Sequence, residues 1–310
     1  MNSRVEWIAE DPASRQVLEI AAKVADTSTT VLITGESGTG KDQLARWIHE
    51  AGPRRDSPFL KIDCASLPSE LVESELFGHE RGAFTGAVAR KPGRIELAED
   101  GTIVLDEVVA LAPAIQSKLL RVLEERKFER LGGTETLEMD ARLIALTNAD
   151  LERAVGSGYF REDLYFRLNV LVVKVPALRE RPRDIRPLAE YFMKRFGPVH
   201  GHASAEIDGG AMQALGAYDW PGNARELKNM IEHALIFARS ETLSREDFPA
   251  TLRAGPERPM RPKLQSLEEM EKEAVRVTLE ATHYKIAQAA EILGISRKTL
   301  LEKRKRYGLV

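Results

Sequence analysis

The sequence predicts an α/β fold, a parallel sheet flanked by helices, followed by a helical subdomain and a small all-α unit ending in a helix-turn-helix. Three observations predict it. Short apolar runs of strand character alternate with stretches of helical periodicity as far as Val175, the pattern of strands joined by helices. From Ile185 to Arg239 only the helical period continues, broken at Trp220-Pro221-Gly222-Asn223. A polar stretch with Pro249, Gly255, Pro256, Pro259 and Pro262 then precedes a last set of helices, and such a composition marks an extended linker. The expected division is therefore 1–175, 176–248, a linker over 249–264, and 265–310.

Composition bounds the function before any motif does. With 310 residues, 30% charged and 43% hydrophobic, the chain has the make-up of a soluble globular protein of two or three domains. A net charge of -3 supplies no global field for nucleic acid, so any such partner must be met by a local patch. The single cysteine, Cys64, excludes an internal disulfide and reads as a small buried hydrophobe in a reducing compartment. Met1 to Glu10 lacks the basic start and apolar core of a signal peptide, and no apolar run is long enough to span a bilayer. A cytoplasmic protein without a membrane partner is expected.

Asp11 to Ala25 places Val17, Ile20, Ala21 and Val24 at helical spacing, an amphipathic helix leading into the apolar run Val31-Leu32-Ile33. Gly35-Glu36-Ser37-Gly38-Thr39-Gly40-Lys41 follows, and a helix-like stretch runs from Gln43 to His49. This is the strand, loop, helix order of a Walker A motif. The glycines let backbone N–H groups turn inward around phosphates, Lys41 adds a point charge, and the helix N-terminus adds its dipole. Asp42 stands where a Ser or Thr ordinarily reaches the metal. Mg²⁺ must then be held by phosphates, water and a carboxylate elsewhere.

That carboxylate is at hand in Gly101-Thr102-Ile103-Val104-Leu105-Asp106-Glu107, a buried strand ending in two acids. Asp106 can orient Mg²⁺ through its water shell and Glu107 can polarise an attacking water, which makes this the Walker B partner of the upstream loop and the pair an ATP site. Pro58 to Asp63 reads as another strand ending in a carboxylate, so Asp63 is either a site residue or the cap of the next turn. Arg142 to Leu146 is a further buried strand; Asn148 just beyond it either meets the γ-phosphate and the water or starts a turn. No Asn-Lys-x-Asp guanine motif is present, which argues against a GTPase.

Two other stretches interrupt the alternation. Glu75 to Ala87 follows neither period, and its Phe84 between small residues suits a buried loop or an exposed tip that docks on a partner. Ala114 to Glu125 reads as a helix, and Phe128 to Met139, with Gly132-Gly133, as a hairpin. Arg161 and Arg167 lie among apolar positions and each needs an anion, supplied by Glu162 or Asp163 or by a neighbouring subunit's nucleotide. His200 and His202 have no further Cys or His nearby, so a metal site there is discounted.

In the last unit Ser266 and Glu269 form a capping box opening a helix whose face takes Met270, Ala274 and Val277. A shorter helix with Ile286, Ala289, Ala290 and Leu293 meets Gly294-Ile295-Ser296, and a final helix begins at Arg297. In this helix-turn-helix Arg297, Lys298 and Thr299 would face the major groove, with Lys303, Arg304, Lys305 and Arg306 on phosphates.

Together these motifs resemble the bacterial enhancer-binding proteins, AAA+ ATPases that activate sigma-54-dependent transcription, over about Ile8 to Leu309. The most specific element is Gly82-Ala83-Phe84-Thr85-Gly86-Ala87, which reads like the loop that family uses to engage sigma-54. The resemblance implies that Phe84 and Thr85 contact sigma-54, that Asn148 lies in sensor I, that Arg161 and Arg167 are trans-acting fingers, and that Arg225 is sensor II. It further implies an assembly of copies of the chain, from dimer to hexameric ring, a lid subdomain over 176–248 and a Fis-type DNA-binding domain at the C-terminus, bound to duplex DNA upstream of a promoter. The sequence departs from the family at Asp63, where Asn is more usual: an acid cannot donate an amide hydrogen bond to Glu107, and two carboxylates repel. Asp42 in place of Glu is milder. None of the stretches read above matches the receiver or ligand-sensing domain that the family carries. The regulatory domain is expected either in a longer protein or as a partner acting in trans.

Two rival readings differ in class. One is a DNA-binding regulator with nucleotide as a structural ligand, against which Glu107 argues. The other is a different AAA+ remodeller, such as a helicase loader, which lacks the Gly82 to Ala87 loop.

Overall fold

The structure is a computed structural model that describes residues 7–253, 267–282 and 284–308. Ser266 of the expected capping box, and the linker residues from 254 on, lie outside the described residues. The chain forms two compact units, 1–256 and 257–310.

The first unit opens with α1 (Pro12–Ala25), entered through Asp11, whose side chain accepts from Ala13 N. Pro12 adds its preset φ at the first turn. Then come β1 (Val31–Thr34), α2 (Lys41–Ala51), β2 (Phe59–Asp63) and α3 (Ser69–Phe77). A two-residue antiparallel pair, β3 (Gly78–His79) with β4 (Lys91–Pro92), frames the Gly82 to Ala87 loop. α4 (Arg94–Leu97), β5 (Thr102–Asp106), α5 (Pro113–Glu125), the hairpin β6 (Lys127–Glu129) and β7 (Thr136–Glu138), β8 (Arg142–Thr147), α6 (Leu151–Gly156), α7 (Glu162–Leu168) and β9 (Leu171–Lys174) complete the α/β part.

The central sheet has the order β2-β5-β8-β1-β9, every pair parallel. Side chains alternate across it, as a strand's two-residue period requires. Leu32, Ile103, Leu105, Leu143 and Ala145 enter one core with α3, α5 and α7. Val31, Ile33, Val104, Ile144 and Leu146 enter the other, against α1 and α2. Strands buried on both faces lose the alternating apolar pattern, which is why they read as continuous hydrophobic runs. The carboxyl ends of β1, β2, β5 and β8 share one rim, and that rim carries the polar candidates.

Beyond Val175 lies the helical subdomain: α8 (Ile185–Phe196), α9 (Gly209–Ala217), α10 (Asn223–Phe237) and the short α11 (Ala250–Arg253). Strand structure does not end at Val175, contrary to expectation. β10 (Glu206–Ile207) and β11 (Thr242–Leu243) form a minimal parallel pair, tied down because Leu243 is wholly buried among the helices. Phe248 and Leu252 join the same core, so the subdomain's packing reaches past residue 248. Trp220 is its largest buried side chain: its Nε1 donates to Leu215 O at 2.9 Å and its ring meets Tyr218 edge-on. Trp220→Ala is expected to cost about 3–5 kcal/mol through the cavity left behind, read as a lowered midpoint in chemical unfolding of this subdomain.

The second unit is a three-helix cluster: α12 (Leu267–Ala281), α13 (Ile286–Ile292) and α14 (Arg297–Arg306). Its core is Val275, Leu279, Ala289, Ala290 and Leu300. The buried face of α12 is thus one position round from that expected; Ala274 and Val277 are exposed because the α13–α14 pair approaches from the side of Val275 and Leu279.

Candidate active site and partner surfaces

Gly35 to Lys41 joins β1 to α2, and its shape is imposed by backbone that only glycine adopts freely. Gly38 has φ +78°, and a Cβ there would lie 2.3 Å from the carbonyl oxygen of Gly222. Both the turn and the close approach of the helical subdomain therefore require glycine. Lys41 folds back along the loop, its Nζ donating to Gly35 O at 2.8 Å and Glu36 O at 3.1 Å. Burial pulls its pKa below the usual lysine value, while Glu107, Asp106 and Asp42 act in the opposite sense.

The helical subdomain closes on this loop through named contacts. Arg225 Nη1 donates to Ser37 Oγ at 2.8 Å, and Asn223 Nδ2 donates to Ser37 O at 3.0 Å and to Glu36 Oε2 at 3.1 Å. Arg179 forks onto the Glu36 carboxylate, and with Asn223 holds its pKa down to about 2. Arg181, almost wholly buried, donates to Thr39 O at 2.6 Å.

A cavity of about 90 Å³ opens beside Gly40, walled by Trp7, Ile8, Arg181, Tyr191 and Phe192. Trp7 Nε1 and Arg181 Nε are buried without a hydrogen-bond partner within the protein. Flat apolar walls with orphaned donors suit a heteroaromatic base next to a phosphate loop. Sequence reading missed these residues, because Trp7 and Ile8 carry no motif and Arg179, Arg181 and Asn223 lie more than 130 positions from the loop they contact.

On the rim, Asp106 ends β5 and Glu107 follows in the left-handed region with φ +52°. Glu107 Oε2 accepts from Asn148 N at 3.1 Å, so the structure brings Glu107 and Asn148 together. Asp63 does something else: its Oδ1 accepts from Ala65 N at 3.0 Å and Ser66 N at 3.2 Å, capping the turn, and among the described residues no hydrogen bond joins it to Glu107. Lys61 Nζ sits between Asp42 and Asp106, at 2.5 Å and 2.6 Å. Burial works against its charge, but the bonds to Asp106 and Asp42 prevail and its pKa is raised. Buried Cys64 has its thiol pushed up to about 12, mainly by desolvation, and is chemically quiet.

Arg161 and Arg167 are exposed and are not brought to the loop of their own chain. Arg161 forks onto Asp163 and reaches Ser117 Oγ; Arg167 donates to Leu123 O. His200 and His202 face Glu232 and Glu241, and no group of three metal-ligating side chains occurs among the described residues.

The Gly82 to Ala87 loop turns on itself through Gly82 N to Ala87 O (2.8 Å) and Ala87 N to Phe84 O (3.0 Å). Phe84 is 41% exposed, resting edge-on against His79, while Ala87 is buried. Of the two shapes left open above, this is an exposed tip with an anchored base. The base is joined to the β6–β7 hairpin: Arg130 bonds Glu96, Glu80 and Glu135, and Glu80 N donates to Leu131 O.

In the second unit Gly294, at φ +66°, makes the turn, and Ser296 caps α14 by accepting from Thr299 N. Arg297 and Lys298 are exposed, whereas Lys303 pairs with Glu271 and Arg304 lies over the Tyr284 ring. A basic first turn after a tight turn is the groove-reading end of a helix-turn-helix.

A parallel sheet with a glycine loop after one strand, two acids after another and a helical lid donating an arginine to the loop defines an AAA+ ATPase. The chain matches the sigma-54 interaction domain over residues 7–174, the AAA+ ATPase lid domain over 179–264 and the bacterial regulatory protein, Fis family, over 266–307. It therefore belongs to the sigma-54-dependent, AAA+ family of transcriptional activators. Among relatives, it is 50% identical over 247 residues to the Nif-specific regulatory protein of Sinorhizobium fredii, covering 79% of this chain and 41% of that one. It is 44% identical over 300 residues to the transcriptional regulatory protein ZraR of Salmonella typhimurium, covering 96% and 68%. The chain thus spans less than half of the first relative and about two thirds of the second. Among solved structures, NtrX from Brucella abortus in complex with ATP superimposes with a TM-score of 0.74 at 36% identity, covering 98% of this chain and 69% of that one. No described helix is long and apolar enough to cross a membrane.

Proposed function

We propose that this chain forms a ring, a hexamer at full assembly, that binds duplex DNA upstream of a promoter and uses Mg²⁺-dependent ATP hydrolysis to remodel sigma-54 RNA polymerase in the cytoplasm. In this reading Gly35 to Lys41 and Arg225 hold the phosphates, and the cavity at Trp7 takes the adenine. Asp106 would hold a Mg²⁺ ion, which when bound would supply positive charge to offset that of the phosphates. Glu107, aligned by Asn148 N, takes the proton of the attacking water; Asp63 shapes the turn beside it. Arg161 and Arg167 leave Asp163 and Leu123 O to meet the γ-phosphate of an adjacent protomer. Phe84 and Thr85 are the sigma-54 contact, and Arg297, Lys298 and Thr299 read DNA. Lys303 and Arg304 then act as helix-positioning residues through Glu271 and Tyr284 while lending charge near the phosphates. The activating signal comes from a further domain or partner.

The observation that carries this reading is that both arginines are exposed and turned from their own phosphate loop, so one protomer supplies the loop and acids and another the counter-charge. Turnover per protomer is expected to rise with protein concentration through the assembly range. Arg161→Ala is expected to cut turnover by about 10³-fold, with activity regained when it is mixed with Glu107→Gln chains. Steady-state phosphate release across a dilution series, and in mixtures, checks both; a flat specific activity excludes shared sites.

A further inference from the structure

Asp42 follows Lys41, where a phosphate loop ordinarily presents a hydroxyl to its metal. Across the rim from it stands Asp106. One cation joins them: Lys61 Nζ, 2.5 Å from Asp42 Oδ1 and 2.6 Å from Asp106 Oδ2. Lys61 comes from β2, in register with Val104 of β5, while Asp63 is opposite Asp106. Its flexible four-carbon stem must therefore run along the rim to reach both acids. The two carboxylates differ in their access to water, Asp106 being 16% exposed and Asp42 48%.

We infer that Lys61 is the resident cation of the Asp42–Asp106 pair, and that it denies this pair to a free divalent ion, so that metal enters only together with nucleotide phosphates. The inference rests on the assignment of Asp106 to the metal. Two carboxylates reaching a common point are the hard oxygen donors that Mg²⁺ and Mn²⁺ prefer. An ammonium between them cancels one of their charges, occupies the lone pairs an ion would use, and repels an incoming dication. Nucleotide changes the balance, because its phosphate oxygens carry several negative charges to the same rim. Lys61 then keeps its bond to the exposed Asp42, and Asp106 turns to the metal. The carboxylate at 42, Asp here where the family has Glu, thus serves as a holding point for Lys61 instead of a metal ligand.

The test is a titration of the full chain with Mn²⁺ in the absence of nucleotide, following free Mn²⁺ by electron paramagnetic resonance. Lys61→Met, which keeps the stem and removes the charge, is expected to bind one Mn²⁺ at least about tenfold more tightly than the unaltered chain. Lys61→Arg keeps the charge and is expected to bind as the unaltered chain does. Adding Asp106→Asn to Lys61→Met is expected to abolish the gained site. Mn²⁺ binding by Lys61→Met no tighter than by the unaltered chain overturns the inference, as does a gain in Lys61→Arg equal to that in Lys61→Met. Lys61→Gln, read in the same way, serves if Lys61→Met folds poorly by circular dichroism. The metal role of Asp106 is tested separately by whether Asp106→Asn alone removes the Mg²⁺ dependence of ATP binding, so the two can fail independently.

Discussion

Glu107→Gln is expected to bind ATP with nearly unchanged affinity and to hydrolyse it about 10²–10⁴-fold more slowly, the range a positioned general base contributes. The geometry separates the two effects. The amide oxygen of Gln can still accept from Asn148 N, as Glu107 Oε2 does at 3.1 Å, so the chain beyond β5 keeps its shape. In the proposed reading nucleotide affinity rests elsewhere, on the phosphate loop, Arg225 and the cavity at Trp7. What the amide cannot do is take a proton from water. Fluorescent-nucleotide titration beside steady-state phosphate release checks the pair of outcomes, and unchanged turnover would assign water activation to another group. Asp63 does not restrain Glu107 in the structure, since its carboxylate caps the following turn. The repulsion expected between two acids is avoided by turning Asp63 away.

Phe84→Ala is expected to leave ATPase and DNA binding within about twofold, and to reduce promoter opening to background, as for loss of an aromatic anchor worth about 2–4 kcal/mol at an interface. The ring is partly exposed and touches His79 edge-on, so its removal disturbs little inside the protein. A Cβ at Gly82 or Gly86 would meet nothing within 4 Å, and their φ of +84° and +109° lie where glycine is favoured, so the two glycines shape the turn of the tip. Its base, in contrast, is held by Arg130, which bonds Glu80 and lies between β6 and β7 of the hairpin. A pull-down of sigma-54 with a trapped transition-state analogue of ATP measures the contact directly. Wild-type capture by Phe84→Ala would remove Phe84 from the contact.

Much of the ATPase core was legible because its chemistry depends on short contiguous runs. Gly35 to Lys41 and Asp106-Glu107 each lie at the end of one apolar strand, and adjacency in sequence there is adjacency in space. The same holds for Gly294 to Ser296 followed by Arg297 in the helix-turn-helix. Less legible were faces and partners. The buried side of α12 is that of Val275 and Leu279 where the spacing predicts Ala274 and Val277, because Val275 and Val277 are equally apolar and only the approach of α13 and α14 chooses between them. The pair β10–β11 escaped notice since two residues carry no period.

The sequence by itself determined the strand, loop, helix order, the glycine-rich loop after β1, the two acids at the end of β5, and the Gly82 to Ala87 run on which the family resemblance most rests. Tertiary structure alone decided which groups surround them. It placed Asn223 and Arg225 on Glu36 and Ser37, nearly 190 residues away in the chain. It turned Asp63 into a turn cap and set Lys61 between Asp42 and Asp106. The physical reason is that backbone turns are specified by neighbours in sequence, whereas the charge a carboxylate meets depends on which strands lie side by side at the rim of a parallel sheet, and crossover connections decide that order.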